Sequence, residues 1–273
     1  MYWDLKQQNE GGFDFTNFDR NNKLSHDKGI KHTYKKTGTT IVGCVFNGGV
    51  VLGADTRATE GPIVADPDCV KIHYLAPNIF CCGAGTAADT EMVTQMMASE
   101  LEMQRLYTGS ESRISHAEAR LTSHLFKYQG HIGAALIVGG VDIKGPQLVT
   151  IAPHGNSMLL PFTTMGSGSL AAMSVLETRY KDNMTEEECI TLVKDAIKAG
   201  IFNDLGSGSN VDIYIVKRTG CEKKESYRVY NKKVFSESET YKFPKGTTEV
   251  LEEIKKNWKN VVVESEAVPM DIC

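Results

Sequence analysis

Thr39 is the residue around which chemistry can be built. It stands in Lys36-Thr37-Gly38-Thr39-Thr40, where a polar stretch ends and a β-branched run begins. The first residue of the first apolar strand is therefore a hydroxyl residue behind a conformationally permissive glycine. Glycine before a β-branched strand is common, and on its own it signals only that a strand starts. If the chain is cut between Gly38 and Thr39, however, Thr39 gains an α-amino group on the same residue as its Oγ. An α-amine titrates at about 7.7 to 8.0, so roughly a tenth is unprotonated base at neutral pH, whereas a lysine at about 10.4 offers almost none. One residue then supplies nucleophile and base together.

Such a base needs its surroundings set. Asp55 ends the second apolar strand in Gly53-Ala54-Asp55-Thr56-Arg57, and Lys71 begins the next in Cys69-Val70-Lys71-Ile72. Singly, each has an ordinary reading, because Asp after a strand is often a turn residue and Lys before one is usually solvated. Together they can converge on one strand edge with Thr39, on strands adjacent to its own. A cation there favours the neutral amine and a developing alkoxide, and the carboxylate holds the ammonium in place.

Three glycine-rich segments follow. Gly83-Ala84-Gly85 precedes a helix, where free backbone N–H groups can receive an oxyanion. Gly166-Ser167-Gly168-Ser169 precedes another helix, and Asp204-Leu205-Gly206-Ser207-Gly208-Ser209 follows one. Turn duty is the alternative for each. None has the GxxxxGK[ST] spacing of a phosphate cradle, which argues against a nucleotide cofactor. The histidines show no HExxH or Cys/His spacing, so no metal is expected.

The elements that must position these residues read as strands, then helices, then strands again. Thr39 to Phe46, the turn Asn47-Gly48-Gly49 and Val50 to Ala54 predict a hairpin, and Ile72 to Leu75 with Ile79 to Cys82 extend that sheet. Helices are predicted from after Gly85 to Gly109 and from about Ser112 to Gln129, the latter capped by Ser112 or Ser115. A second hairpin, Ile132 to Val141 with Gln147 to Ile151, and a short run at Phe162 to Met165 come next. Helices from Ser169 to Tyr180 and from Thr185 to Phe202 follow, the second opened by a Thr185/Glu188 capping box, before a last core strand, Val211 to Val216. Tight hairpins force antiparallel neighbours, and two helix pairs must cover the strands. An α+β fold, a four-layer αββα sandwich, satisfies both demands, and a doubly wound parallel sheet does not.

Residues 1–38 are polar and non-periodic and read as a leader, 39–219 as the folded domain, and 220–273 as a charged extension with a possible strand at Tyr227, Val229 and Tyr230. The extension is either a solvated tail or an arm that wraps a neighbouring chain. A formal charge of -4, from 30 basic and 34 acidic side chains, gives no basic field for nucleic acid. No apolar run is long enough to span a membrane, and the N-terminus lacks a signal peptide's apolar core. Seven cysteines without paired spacing fit a reducing compartment, the cytoplasm and nucleus.

Across nearly its whole length the chain resembles a proteasome β subunit in precursor form, of the type that cleaves after basic residues. The strongest matches are Thr37-Gly38-Thr39-Thr40, Gly53 to Thr59, Lys71-Ile72-His73, Cys82 to Asp89, Met165 to Ser169 and Asn203 to Asn210. The resemblance implies a self-processed threonine endopeptidase of the N-terminal nucleophile class, built with other α and β subunits into stacked seven-membered rings and acting on polypeptides. It implies Thr39 as nucleophile and Asp55 with Lys71 as the charge pair. Ser167, Asp204 and Ser207 would hold the α-amine and a water, and the Gly85 N–H the oxyanion. Gly83, Glu91 and Thr59 would form the substrate pocket, open at Gly83 and acidic at Glu91, where this type commonly carries Asp. A non-catalytic ring component is the alternative from another class, and an amidase acting on small amides is a second.

Overall fold

The computed structural model describes residues 16–29, 37–228, 246, 249 and 251–255. The chain divides into two compact units, residues 1–230 and 231–273. In the second, the described residues carry no helix or strand, and Lys255 pairs with Glu253 at 3.3 Å.

In chain order the first unit runs α1 (Thr16–Lys28), β1 (Ile41–Phe46), β2 (Gly49–Asp55), β3 (Ala58–Glu60), β4 (Ile63–Asp66), β5 (Ile72–Ala76) and β6 (Ile79–Gly85). Then come α2 (Ala87–Thr108), α3 (Ile114–Lys127), β7 (Ala134–Asp142), β8 (Gly145–Ile151), β9 (Ser157–Leu159) and β10 (Phe162–Met165). The unit closes with α4 (Ser169–Arg179), α5 (Glu186–Asn203), β11 (Asn210–Lys217) and β12 (Gly220–Arg228). One five-stranded sheet has the order β10-β1-β2-β11-β12 and the other β5-β6-β7-β8-β9, with every pairing antiparallel.

The layers follow from which faces are apolar. Val42, Cys44 and Phe46 of β1 pack with Val51, Ile213 and Ile215 under Leu176 of α4 and Val193 and Ile197 of α5. Alternate residues of the same strands, Ile41, Val50 and Leu52, meet Ile137, Leu148 and Phe80 between the two sheets. Leu75, Cys81, Leu136 and Val138 face Val93 and Met97 of α2 and Leu121 and Leu125 of α3. The inner strands are thus buried on both sides, which is why β1 and β2 read as continuous apolar runs rather than as alternation. The expected helix, sheet, sheet, helix sandwich is what forms.

Several elements differ from expectation. β5 and β6 do not extend the first sheet; the hairpin β3/β4 and the segment after it carry the chain across to the second. That hairpin escaped notice because β4 is exposed throughout and β3 buries only Thr59. The stretch 1–38, read from the sequence as a non-periodic leader, contains α1, exposed along most of its length. The domain does not stop at residue 219, because β12 pairs with β11 from Gly220 to Arg228. Tyr227 lies in that strand, while Val229 and Tyr230 fall outside the described residues. α3 is capped by neither serine: the Ile114 N–H donates to Asp142 Oδ2 at 3.1 Å, and the Ser112 carbonyl accepts from Asn78 Nδ2 at 2.9 Å. The Thr185/Glu188 capping box on α5 forms as read.

Candidate active site

The sheet pairing brings Thr39 and Asp55 together. β1 and β2 align Ile41 with Ala54, and one step beyond, the Asp55 N–H donates to the Thr40 carbonyl at 3.1 Å. The Thr40 N–H returns a bond to Asp55 Oδ1 at 2.9 Å, while Gly208 N–H and Arg57 N–H donate to Oδ2 at 3.1 and 3.4 Å. Asp55 is wholly buried, and each of its oxygens is held.

Lys71 arrives from the other sheet. Its carbonyl accepts the Gly83 N–H at 3.0 Å, extending the β5/β6 ladder by one step to the mouth of the sandwich. From there Nζ donates to Asp55 Oδ1 at 2.8 Å, Thr39 Oγ1 at 3.3 Å and the Gly38 carbonyl at 3.4 Å. The expected convergence occurs, but across the gap between sheets rather than along one edge. Burial pushes the Asp55 carboxyl up from its ordinary value, and the Lys71 charge and the backbone donors of Thr40 and Gly208 pull it back.

Thr39 is itself buried, with Oγ1 donating to the Gly38 carbonyl at 2.7 Å. Its backbone N–H donates to Ser167 Oγ at 3.1 Å, and Ser167 donates to Asp204 Oδ2 at 2.6 Å. Ser207 also donates to Asp204 Oδ2, at 2.7 Å, and bonds Thr40 Oγ1 at 2.7 Å. Ser167 is thus the group on the Thr39 nitrogen, and Asp204 and Ser207 act on it through that serine. Burial alone would raise the Asp204 carboxyl. The bonds from Ser167, Ser207 and Gly206, with the Lys71 charge, bring it below the usual range.

The backbone preceding Thr39 enters the site through a close approach. A Cβ on Gly38 would lie 2.1 Å from Gly206 Cα, so a side chain there would strike the loop carrying Asp204 and Ser207. The Gly38 N–H donates to Thr59 Oγ1 at 3.0 Å, and Thr37 Oγ1 donates to the Gly85 carbonyl at 3.2 Å. Thr59 is therefore placed on the Gly38 backbone. A cavity of about 110 Å³ beside Thr39 is lined by Lys71, Gly83, Gly85 and Glu91, and also by Cys69 and His73.

Sequence reasoning passed over Thr40, Arg57 and His73. Thr40 is fully buried and bonds Ser207, while Arg57 Nη1 donates to the Leu205 carbonyl at 3.3 Å. The signal for His73 was strand alternation, since it lies two residues beyond Lys71 and so on the same side.

A buried threonine served from both sheets of an antiparallel sandwich has a counterpart among known proteins. Residues 35–216 match the family described as Proteasome subunit, and the chain belongs to that family. Proteasome subunit beta type-7 of Dictyostelium discoideum is 56% identical over 249 residues, spanning 91% of this chain and 93% of that one. Proteasome subunit beta type-2 of Saccharomyces cerevisiae is 51% identical over 243 residues (89% and 93%), and proteasome subunit beta type-10 of Mus musculus 50% over 251 (90% and 92%). The chain is thus a β subunit of the 20S core particle, in which β subunits assemble with other α and β subunits.

Proposed function

We propose that this β subunit is catalytic: a threonine endopeptidase that frees its own Thr39 by cutting the Gly38–Thr39 bond, then cleaves polypeptides after basic residues within the core particle, in cytoplasm and nucleus. The observation that carries the reading is Thr39 Oγ1 lying 2.7 Å from the Gly38 carbonyl oxygen, with Lys71 Nζ 3.3 Å from the hydroxyl and 3.4 Å from that same carbonyl. One ammonium touches both the attacking oxygen and the oxygen that becomes negative.

In the first step Oγ bonds to the Gly38 carbonyl carbon, the carbon–nitrogen bond breaks, and the hydroxyl proton passes to the Thr39 nitrogen. Water hydrolyses the resulting ester, releasing the leader as a carboxylate and restoring the hydroxyl. The nitrogen freed is the one already bonded to Ser167 at 3.1 Å, so the Ser167–Asp204–Ser207 chain holds the new amine. In the second step the amine, through water, takes the Oγ proton as Oγ attacks a substrate carbonyl. The Gly85 N–H receives the oxyanion, and the acyl-enzyme is hydrolysed.

Preference for basic residues rests on the cavity. A Cβ on Gly83 would lie 2.9 Å from Thr90 Cβ, so glycine keeps the space open, and Glu91 supplies a carboxylate for Lys or Arg. N-terminal sequencing of Thr39→Ala and unaltered chains from assembled particles tests the proposal. Unaltered protein should begin at Thr39, and Thr39→Ala should keep its leader and lose cleavage of Arg-containing peptides. Maturation of Thr39→Ala at Gly38 would refute the mechanism; unaltered chain retaining Met1 would point to a structural ring component.

A further inference from the structure

His73 lines the cavity beside Thr39, yet neither the nucleophile nor the charge pair uses it. Its cross-strand partner on β6 is Cys81, which packs in the core beneath Val93 and Met97 of α2. That side of the strand therefore faces the helix carrying Glu91, and Glu91 lines the same cavity.

The other titratable groups around His73 leave Glu91 as its electrostatic partner. Cys69 and Lys71 come from the segment entering β5, and Cys81 from β6. Burial pushes both thiols up, so they remain neutral. Lys71 is held by Asp55 at 2.8 Å. Among its described hydrogen bonds and ion pairs, the Glu91 carboxylate accepts only from the uncharged Gln95 side chain, at 3.1 Å, while the Glu91 carbonyl accepts from Thr94 Oγ1 at 2.9 Å. With His73 uncharged, the Glu91 carboxylate is uncompensated in the cavity; an imidazolium there would cancel it.

We propose that His73 is a specificity-determining residue: neutral, it leaves Glu91 free to meet a Lys or Arg side chain, and protonated, it neutralises Glu91 and removes the preference for basic residues. This rests on the basic-residue specificity proposed above. Burial holds the imidazole below its ordinary value while Glu91 draws it upward, so the change falls below about pH 6.5. At neutral pH the cavity is set for basic side chains, and on acidification it accepts uncharged ones as readily.

The test compares peptides cleaved after Arg with the same peptides carrying citrulline, its uncharged near-isostere, using assembled core particles. Residual cleavage by a Thr39→Ala particle is subtracted. Because both peptides use the same nucleophile and amine, the ratio of their kcat/KM values isolates the pocket from the chemistry. The unaltered ratio should fall about tenfold between about pH 7.5 and about pH 5.5. In His73→Gln it should stay within about twofold over that range, and in Glu91→Gln it should be low throughout. An unaltered ratio that stays high to about pH 5.5, or one that falls as steeply in His73→Gln, overturns the role of His73 alone. An unaltered ratio near one at about pH 7.5 removes the basic-residue specificity, and this inference with it.

Discussion

Lys71 Nζ meets Asp55 Oδ1 at 2.8 Å, although the two residues belong to different sheets. The bond ties the sheets together at the end of the sandwich where Thr39 sits, and it leaves the ammonium a further reach to Thr39 Oγ1 at 3.3 Å. A single contact therefore serves packing and, in the proposed mechanism, chemistry as well.

Replacing Lys71 by Ala separates those two roles from a merely catalytic one. Asp55 would remain fully buried without its cation, a loss of about 3–5 kcal/mol. The leader should also stay attached. Lys71→Met, which keeps the aliphatic length but not the charge, should behave alike. Lys71→Arg should recover much of the stability and little of the cleavage, because a planar fork cannot reproduce three contacts made by one nitrogen. Thermal unfolding of the assembled particle and the mass of the subunit would report the two effects; an Arg variant with full processing would contradict the geometry.

Thr40 should matter to structure, as its neighbour would to the proposed chemistry. Its Oγ1 lies 2.7 Å from Ser207 Oγ, and a Cβ on Gly168 or Gly200 would come within 2.0 or 2.5 Å of it. Thr40→Val keeps the shape and deletes the bond. Ser207 retains Asp204 as acceptor, so the loss should be near the low end for a buried hydrogen bond, about 1 kcal/mol. Denaturant midpoints would measure it, and an unchanged midpoint would show the Ser207 bond to be idle.

What the sequence disclosed depended on how local each signal was. Apolar runs such as those on either side of the Asn47-Gly48-Gly49 turn located the strands, and Thr185 with Glu188 located a helix start, because each is settled within a few residues. Membership of β5 in the second sheet was not legible, since it depends on where β3 and β4 send the chain, and those short strands have little buried surface. Gly38 was read for backbone freedom, whereas its need is proximity: Gly206 lies 168 positions away and leaves no room for a side chain. The cap of α3 came from Asp142 for the same reason, a tertiary partner replacing a local one.

Asp204 sets a pH dependence distinct from that of the amine. Its folded-state value is lowered, so the stability it confers is fully present above the ordinary carboxylate range and is lost as pH falls through the lowered value. Asp204→Asn should flatten the melting-temperature profile below about pH 4 and leave its shape above about pH 6 unaltered. At neutral pH the same variant should cleave peptides roughly 10- to 100-fold more slowly, because a neutral amide with one acceptor oxygen cannot serve Ser167, Ser207 and the Gly206 N–H as the carboxylate does, and Ser167 orients the Thr39 nitrogen less firmly. A melting profile as steep below about pH 4 in the variant as in the unaltered protein would assign that slope to other carboxylates.

Gly83 separates the two reactions proposed for Thr39. In leader removal the residue before the cut is Gly38, which has no side chain to seat, so the cavity next to Glu91 is not used. In peptide cleavage after Arg or Lys the cavity must receive a long side chain. A Val at position 83 would set its Cβ 2.9 Å from Thr90 Cβ, and Thr90 is itself buried and tied to the Ala87 carbonyl at 2.8 Å, so the space narrows from the Gly83 side. Gly83→Val particles should therefore still yield a subunit beginning at Thr39. Their kcat/KM for Arg peptides should drop by about tenfold or more, mostly through KM. Loss of both reactions together would mean that the substitution had displaced the β6 end that supports Lys71, and the independence of pocket and nucleophile would have to be given up.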